Sequence, residues 1–205
     1  MSTGKQRRRA PAATATGKVA AAALLTLAGI ITLPGCVPLV ATGVAAGALM
    51  ADDRRTAGIY IEDENIENKA LLRVEQANKG GVHLNVTSFN RLVLVTGEAP
   101  SEAVRADIER IVRGVENVRA VQNEMTVAQT TTTMLRGNDT VLTSKVKARF
   151  VDANKFKANH VKVVTENSVV FLMGIVKRQE AQDATEIART TGGVHRVVRV
   201  FDYMD

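Results

Sequence analysis

The chain has 205 residues, 45% of them apolar, and a formal charge of +6. With five Phe, two Tyr and no Trp, aromatic clusters are ruled out as the main core, so Val, Leu, Ile and Ala must fill it. The placement of the charge argues against a nucleic-acid partner. Lys5, Arg7, Arg8, Arg9 and Lys18 stand in the first 35 residues with no acid beside them, and the remainder carries 22 basic against 21 acidic side chains.

Residues 1–18 are polar and cationic. Val19–Leu33 is an apolar run of fifteen residues, within the range of a signal-peptide core and short for a spanning helix. It ends in Leu33-Pro34-Gly35-Cys36, which holds the sole cysteine. One cysteine builds no intramolecular disulfide. Placed directly after an apolar run and Gly35, it reads as a lipobox: residues 1–35 are a lipoprotein signal peptide, and Cys36 is lipidated. Pro34 departs from the small or modest aliphatic residue usual at its position. Residues 36–58 read as a flexible tether, small and apolar from Val37 to Ala51, then abruptly charged at Asp52-Asp53-Arg54-Arg55. Folded structure is expected from near Gly58.

Beyond that point the chain repeats itself. At an offset of 77 residues Leu84 and Val86 fall on Val161 and Val163, Asn90 on Asn167, and Gly97 on Gly174. Gly114-Val115-x-x-Val118 matches Gly193-Val194-x-x-Val197. Such repetition sets two units, 59–128 and 138–205, joined by a linker at 129–137.

In the first unit Ile66, Ala70, Val74 and Ala77 have the spacing of one helix face. Strands are predicted at His83–Thr87 and Leu92–Thr96, with Asn90-Arg91 at the hairpin turn. Pro100-Ser101-Glu102 starts a helix carrying Val104, Ile108, Ile111 and Val112, and Gly114 ends it. Val118–Val127 closes the unit as a strand. In the second unit Leu142, Val146, Phe150 and Ala153 line a helix. Strands follow at Val161–Thr165 and Val169–Met173, then a helix near Arg178–Thr190 and a strand at Val197–Tyr203. The fold class is α+β, twice α-β-β-α-β, each unit a small three-stranded mixed sheet packed by two helices. Leu92–Val95 and Val169–Met173 lack the alternation of a strand with one wet face, so both their faces are expected to be covered, one by helices and one by the sibling unit.

The element order, the glycine after the second strand and the Gly-Val-x-x-Val before the last strand resemble the BON domain. Asp53-Arg54-Arg55-Thr56-x-Gly58, Asn138-Asp139-Thr140 and the stretch from Val164 to Gly174 add to the likeness, and a tandem BON pair behind a lipobox is similar to outer-membrane BON lipoproteins. The resemblance implies a lipid-anchored protein of the outer membrane, facing the periplasm. It also implies that the second domain binds anionic phospholipid, such as phosphatidylglycerol or cardiolipin, and that the protein supports the envelope barrier, with a link to cell division. Val37 in place of Asp after the cysteine favours the outer over the inner membrane.

The charge pattern agrees. Residues 59–128 carry 8 basic and 11 acidic side chains, and residues 136–205 carry 12 and 8. Lys145, Lys147, Arg149, Lys155, Lys157 and Lys162 concentrate the excess. On a helical projection Val141, Ser144, Lys145, Ala148 and Val151 point away from the core. Together with Lys155 they form the expected lipid-binding set, apolar edges beside cations. The alternative is a protein-interaction adaptor for an envelope assembly or a cell-wall amidase pathway, tethered by its lipid. His83, His160 and His195 are far apart in sequence, and no metal-ligand spacing, Walker loop or nucleophile elbow is present. The sequence therefore leads to no expected catalytic residue, metal or cofactor.

Overall fold

A computed structural model describes Met1 and residues 53–77, 81–128 and 133–204. The expected signal peptide beyond Met1, Cys36 and most of the tether lie outside the described residues. The first domain runs α1 (Ala57–Ala77), β1 (His83–Phe89), β2 (Leu92–Ala99), α2 (Glu102–Arg113), β3 (Ala120–Asn123) and β4 (Thr126–Val127). The second runs α3 (Thr133–Ala153), a 3-10 turn (Ala158–His160), β5 (Lys162–Glu166), β6 (Val169–Val176), α4 (Arg178–Arg189) and β7 (Arg196–Tyr203). The α-β-β-α-β order appears twice. In each domain the hairpin is antiparallel and the last strand joins it in parallel. In the first domain the closing strand is interrupted at Glu124-Met125, where Met125 turns into the core, so that sheet has four strands. Helix α3 begins at Thr133, inside the stretch read as linker. Gly137 lowers helix propensity by about 1 kcal/mol, which does not stop a long helix.

Both hairpins turn on two residues in the left-handed region, Asn90 and Arg91 (φ 52 and 62) and Asn167 and Ser168 (φ 50 and 61). Two such residues in succession make the type I′ turn that suits the twist of paired strands. An aspartate on each domain's first helix holds its turn. Buried Asp63 accepts from the backbone N–H of Asn90 and Arg91, both at 2.8 Å, and from Ser88 Oγ at 2.6 Å. Asp139 accepts from the N–H of Asn167 and Ser168 at 2.8 and 2.9 Å. The repeated glycines answer a close approach. A Cβ on Gly97 would lie 2.1 Å from the carbonyl oxygen of His83, and one on Gly174 2.3 Å from that of His160.

Ile66, Ala70 and Val74 of α1 pack with Val93, Val95, Ile108 and Val112 in one core. Val146 and Phe150 of α3 pack with Val170, Leu172, Ala184 and Ala188 in another. Two expected face residues are exposed instead of buried. Ala77 is exposed because α1, at 21 residues, outruns strands of seven and eight and its last turn overhangs them. Ala153 is exposed because the chain leaves α3 through Asn154 (φ 47) and swings Phe156 inward, edge-on to Phe150 at 5.1 Å.

The apolar strands are covered on both faces. Val93 and Val95 point to their own helices, while Leu94 joins Phe89, Phe171, Met173 and Val200 in a third buried cluster. The two sheets therefore meet face to face with the helices outside. Asn167 Nδ2 donates to fully buried Glu98 at 2.8 Å, and Asn85 Nδ2 to Glu166 at 2.7 Å, so the polar groups caught between the sheets are matched across the boundary. Among the described residues both cores and the seam between them lie within 53–204, the self-contained core expected of an independently folding unit.

Candidate functional site

Helix α3 divides cleanly into two sides. Leu142, Val146 and Phe150 are buried, whereas Ser144, Lys145 and Ala148 are exposed, with Val141 at 52% and Val151 at 64% exposure. Five of the six expected lipid-contact residues thus share one open surface. The Ser144 hydroxyl donates to its own helix, to the Thr140 carbonyl at 3.0 Å. Asp152, which is not among the residues read from the sequence as lipid contacts, lies on the same side by helical period and dilutes its positive charge.

Lys155 does not join that surface. It follows the break at Asn154, and its ammonium pairs with Asp183 of α4 at 3.0 Å. That hydrogen bond, ahead of one from Gln179, holds the Asp183 carboxyl below its ordinary range. Arg149 is also committed: it donates to the Ile187 carbonyl at 2.8 Å and to Thr191 Oγ1 at 2.7 Å, capping the end of α4. Lys162 pairs with Glu67 of the first domain at 3.2 Å. Lys145 and Lys147 are exposed and form no ion pair among the described residues. The basic cluster read along the sequence reduces to these two lysines as cations on α3 open to a partner.

Next to this surface the domains leave a cleft of about 430 Å³. Tyr60, Glu64 and Phe89 line it from the first domain, and Lys147, Val151 and Val161 from the second. Arg55 forms part of the wall. Its guanidinium is held by Asp53 at 2.8 Å and Asp63 at 2.9 Å and stacks over Phe89 and Tyr60, 4.1 and 4.9 Å from the ring centres. Its neighbour Arg54 reaches the other domain, gripping Glu180 with two bonds of 2.6 and 2.7 Å and the Ile175 carbonyl at 2.7 Å. Residues 53–55, read from the sequence as the end of a tether, therefore fasten both domains.

A second hollow of about 370 Å³ includes His83, Asn85, Thr143 and Glu166, with His83 Nε2 3.4 Å from Glu166. Among the described residues, no group of three or more His, Cys, Asp or Glu side chains is placed to hold a metal ion, and no helix is long and apolar enough to cross a membrane.

The BON domain family model matches residues 62–129 and 138–204. The chain is 37% identical over 183 residues to the outer membrane lipoprotein DolP of Haemophilus influenzae, covering 88% of this chain and 95% of that protein. It is 30% identical to a 21 kDa hemolysin of Actinobacillus pleuropneumoniae, over 74% of this chain and 79% of the relative. Osmotically-inducible protein Y of Escherichia coli K12 is 28% identical, over 76% of this chain and 80% of that protein.

Proposed function

The chain belongs to the BON family as a DolP-like protein with two BON domains in tandem, and on that premise we propose that it is a lipid-anchored envelope protein of the outer membrane, facing the periplasm, that binds anionic phospholipid through α3. The observation that carries this reading is the outer side of α3. Val141 and Val151 stand exposed on it, Ser144 and Ala148 between them are small, and Lys145 and Lys147 offer charge that no group among the described residues neutralises. Each such lysine gains about 1 kcal/mol beside an anionic bilayer, and two valines add shallow apolar contact. That is too little to hold a protein on a membrane unaided. Attachment falls to Cys36, whose two or more acyl chains give stable anchoring, and α3 selects the lipid among which the anchored protein sits. Support of outer-membrane integrity, with enrichment at division sites, follows from such selection where anionic lipid is concentrated. No catalytic step belongs to this reading.

The test is sedimentation of residues 53–205 with vesicles. Vesicles containing phosphatidylglycerol or cardiolipin should retain the protein, neutral ones should not, and rising salt should release it. Equal retention by both kinds, or by neither, contradicts the reading.

One observation favours the adaptor reading. Helix α1 exposes Ile61 and Leu72 beside Glu64 and Glu75, an apolar and acidic surface that an anionic bilayer would repel. If the protein serves an envelope assembly or an amidase pathway, capture of a defined complex should survive Lys145→Glu and be lost with Ile61→Glu.

A further inference from the structure

We propose that the cleft between α1 and α3 binds the headgroup of a phosphatidylethanolamine-type lipid: a primary ammonium joined by a short alkyl link to a phosphodiester. The site adjoins the outer side of α3 and shares Lys147 and Val151 with it, while Glu64, Tyr60 and Phe89 belong to the cleft alone.

The argument rests on which charges in the cleft are already matched. Arg55 is neutralised by Asp53 and Asp63, and Lys162 by Glu67. Glu64 from the first domain and Lys147 from the second also line the cleft, both exposed, and they pair neither with each other nor with any other described residue. One unmatched anion and one unmatched cation thus face a single cavity from walls that belong to different domains. A purely anionic ligand would satisfy Lys147 and be repelled by Glu64. A zwitterion satisfies both, its phosphate at the lysine and its ammonium at the carboxylate.

The aromatic residues narrow the choice of ammonium. A quaternary ammonium is recognised chiefly by open aromatic faces. Here the Arg55 guanidinium already lies over both Phe89 and Tyr60. What remains for the ligand's cation is the Glu64 carboxylate, a hydrogen-bond acceptor that suits N–H groups and gives a trimethylated nitrogen nothing to donate to. Ethanolamine is therefore preferred over choline. Val151, Val161 and Ala158 supply the apolar side of the cleft for the glycerol and the first methylenes, and about 430 Å³ lies within the range of small-molecule sites. The exposed Val151 at its edge makes a lipid, rather than a free headgroup, the fitting source.

The experiment is an NMR titration of residues 53–205 with dihexanoyl phosphatidylethanolamine below its micelle-forming concentration. The inference predicts saturable one-to-one binding, with shifts at Tyr60, Glu64, Lys147 and Val151. Dihexanoyl phosphatidylcholine and phosphatidylglycerol should each bind roughly tenfold more weakly. Glu64→Gln should erase the preference for ethanolamine over choline without moving the unfolding midpoint, since Glu64 is exposed and bonds to nothing among the described residues. No saturable binding, equal binding of the choline or glycerol lipid, or an unchanged preference in Glu64→Gln would overturn the inference. So would equal binding of glycerophosphoethanolamine, which would make a free headgroup the ligand. Loss of the cleft site with anionic-vesicle binding intact removes this inference and leaves the role of α3 standing; the opposite result does the reverse.

Discussion

Arg54 and Glu180 lie 126 positions apart and meet in a bidentate ion pair of 2.6 and 2.7 Å. The pair joins the segment preceding α1 to the first turn of α4, so residues 53–55 are a structural part of the two-domain unit. The hydrogen bond from Arg54, and after it the Lys177 backbone N–H and the arginine's charge, outweigh the effect of burial and lower the Glu180 carboxyl from 4.5 to about 2.

This gives a signed pH dependence. A carboxyl depressed in the folded state stabilises fully above its unfolded value, and that stability is lost as pH falls from about 4.5 toward about 2. Linkage alone would give about 3 kcal/mol; partial solvent exposure reduces it to on the order of 1–2 kcal/mol. Arg54→Ala should therefore lower the urea midpoint at neutral pH, and its difference from the parent should shrink as pH falls toward about 2, leaving the part due to the Ile175 carbonyl bond.

Gly97 and Gly174 are predicted to tolerate no side chain. Gly97 has φ +120, and at both positions a Cβ would stand within 2.3 Å of a backbone oxygen. Alanine at either should cost about 3 kcal/mol or more in urea unfolding. Gly192→Ala, where nothing lies within 4 Å of the added carbon, should leave the midpoint unchanged.

The two turn-holding aspartates should differ in weight. Asp63 serves two backbone donors, Ser88 and Arg55, whereas the bonds described for Asp139 are to two backbone donors. Asp63→Ala should cost about 3 kcal/mol and Asp139→Ala about half that. Loss of amide-exchange protection at Asn90 and Arg91 in the first variant, and at Asn167 and Ser168 in the second, checks the cause.

Phe171 is buried in the cluster between the sheets. Phe171→Ala should cost about 3–5 kcal/mol and uncouple the domains, so that calorimetry records two transitions in place of one. Phe150→Ala, in the second domain's own core, should destabilise that domain without opening the seam to exchange.

The parts of this structure legible in the sequence were those fixed by local pattern or by repetition. Asn90-Arg91 between two apolar runs marks a turn, and Gly97 recurring at Gly174 marks one constraint met twice. Leu92 to Val95 without a polar residue announces a strand covered on both sides. Small residues misled: Ala77 and Ala153 keep the helical period, but an alanine is compatible with core and surface alike. Asp63 carries no local signal in the sequence because its partners lie in a hairpin some 27 residues on, and only the fold brings them together. Matching Asp63-x-x-Ile66 with Asp139-x-x-Leu142 would have exposed it. Arg54 and Lys155 were misread for the same physical reason, since an ion pair between remote segments has no local signature. Lys155 looked available because nothing in its neighbourhood announces Asp183.

The most direct test of the central claim, that α3 is the surface turned to an anionic bilayer, is paramagnetic broadening of residues 53–205 by spin-labelled lipid in phosphatidylglycerol vesicles. Amides from Val141 to Val151 should broaden most strongly, those from Ile61 to Leu72 on α1 should stay sharp, and Lys145→Glu should abolish the effect. Broadening centred on α1, or spread equally over both helices, would contradict the account.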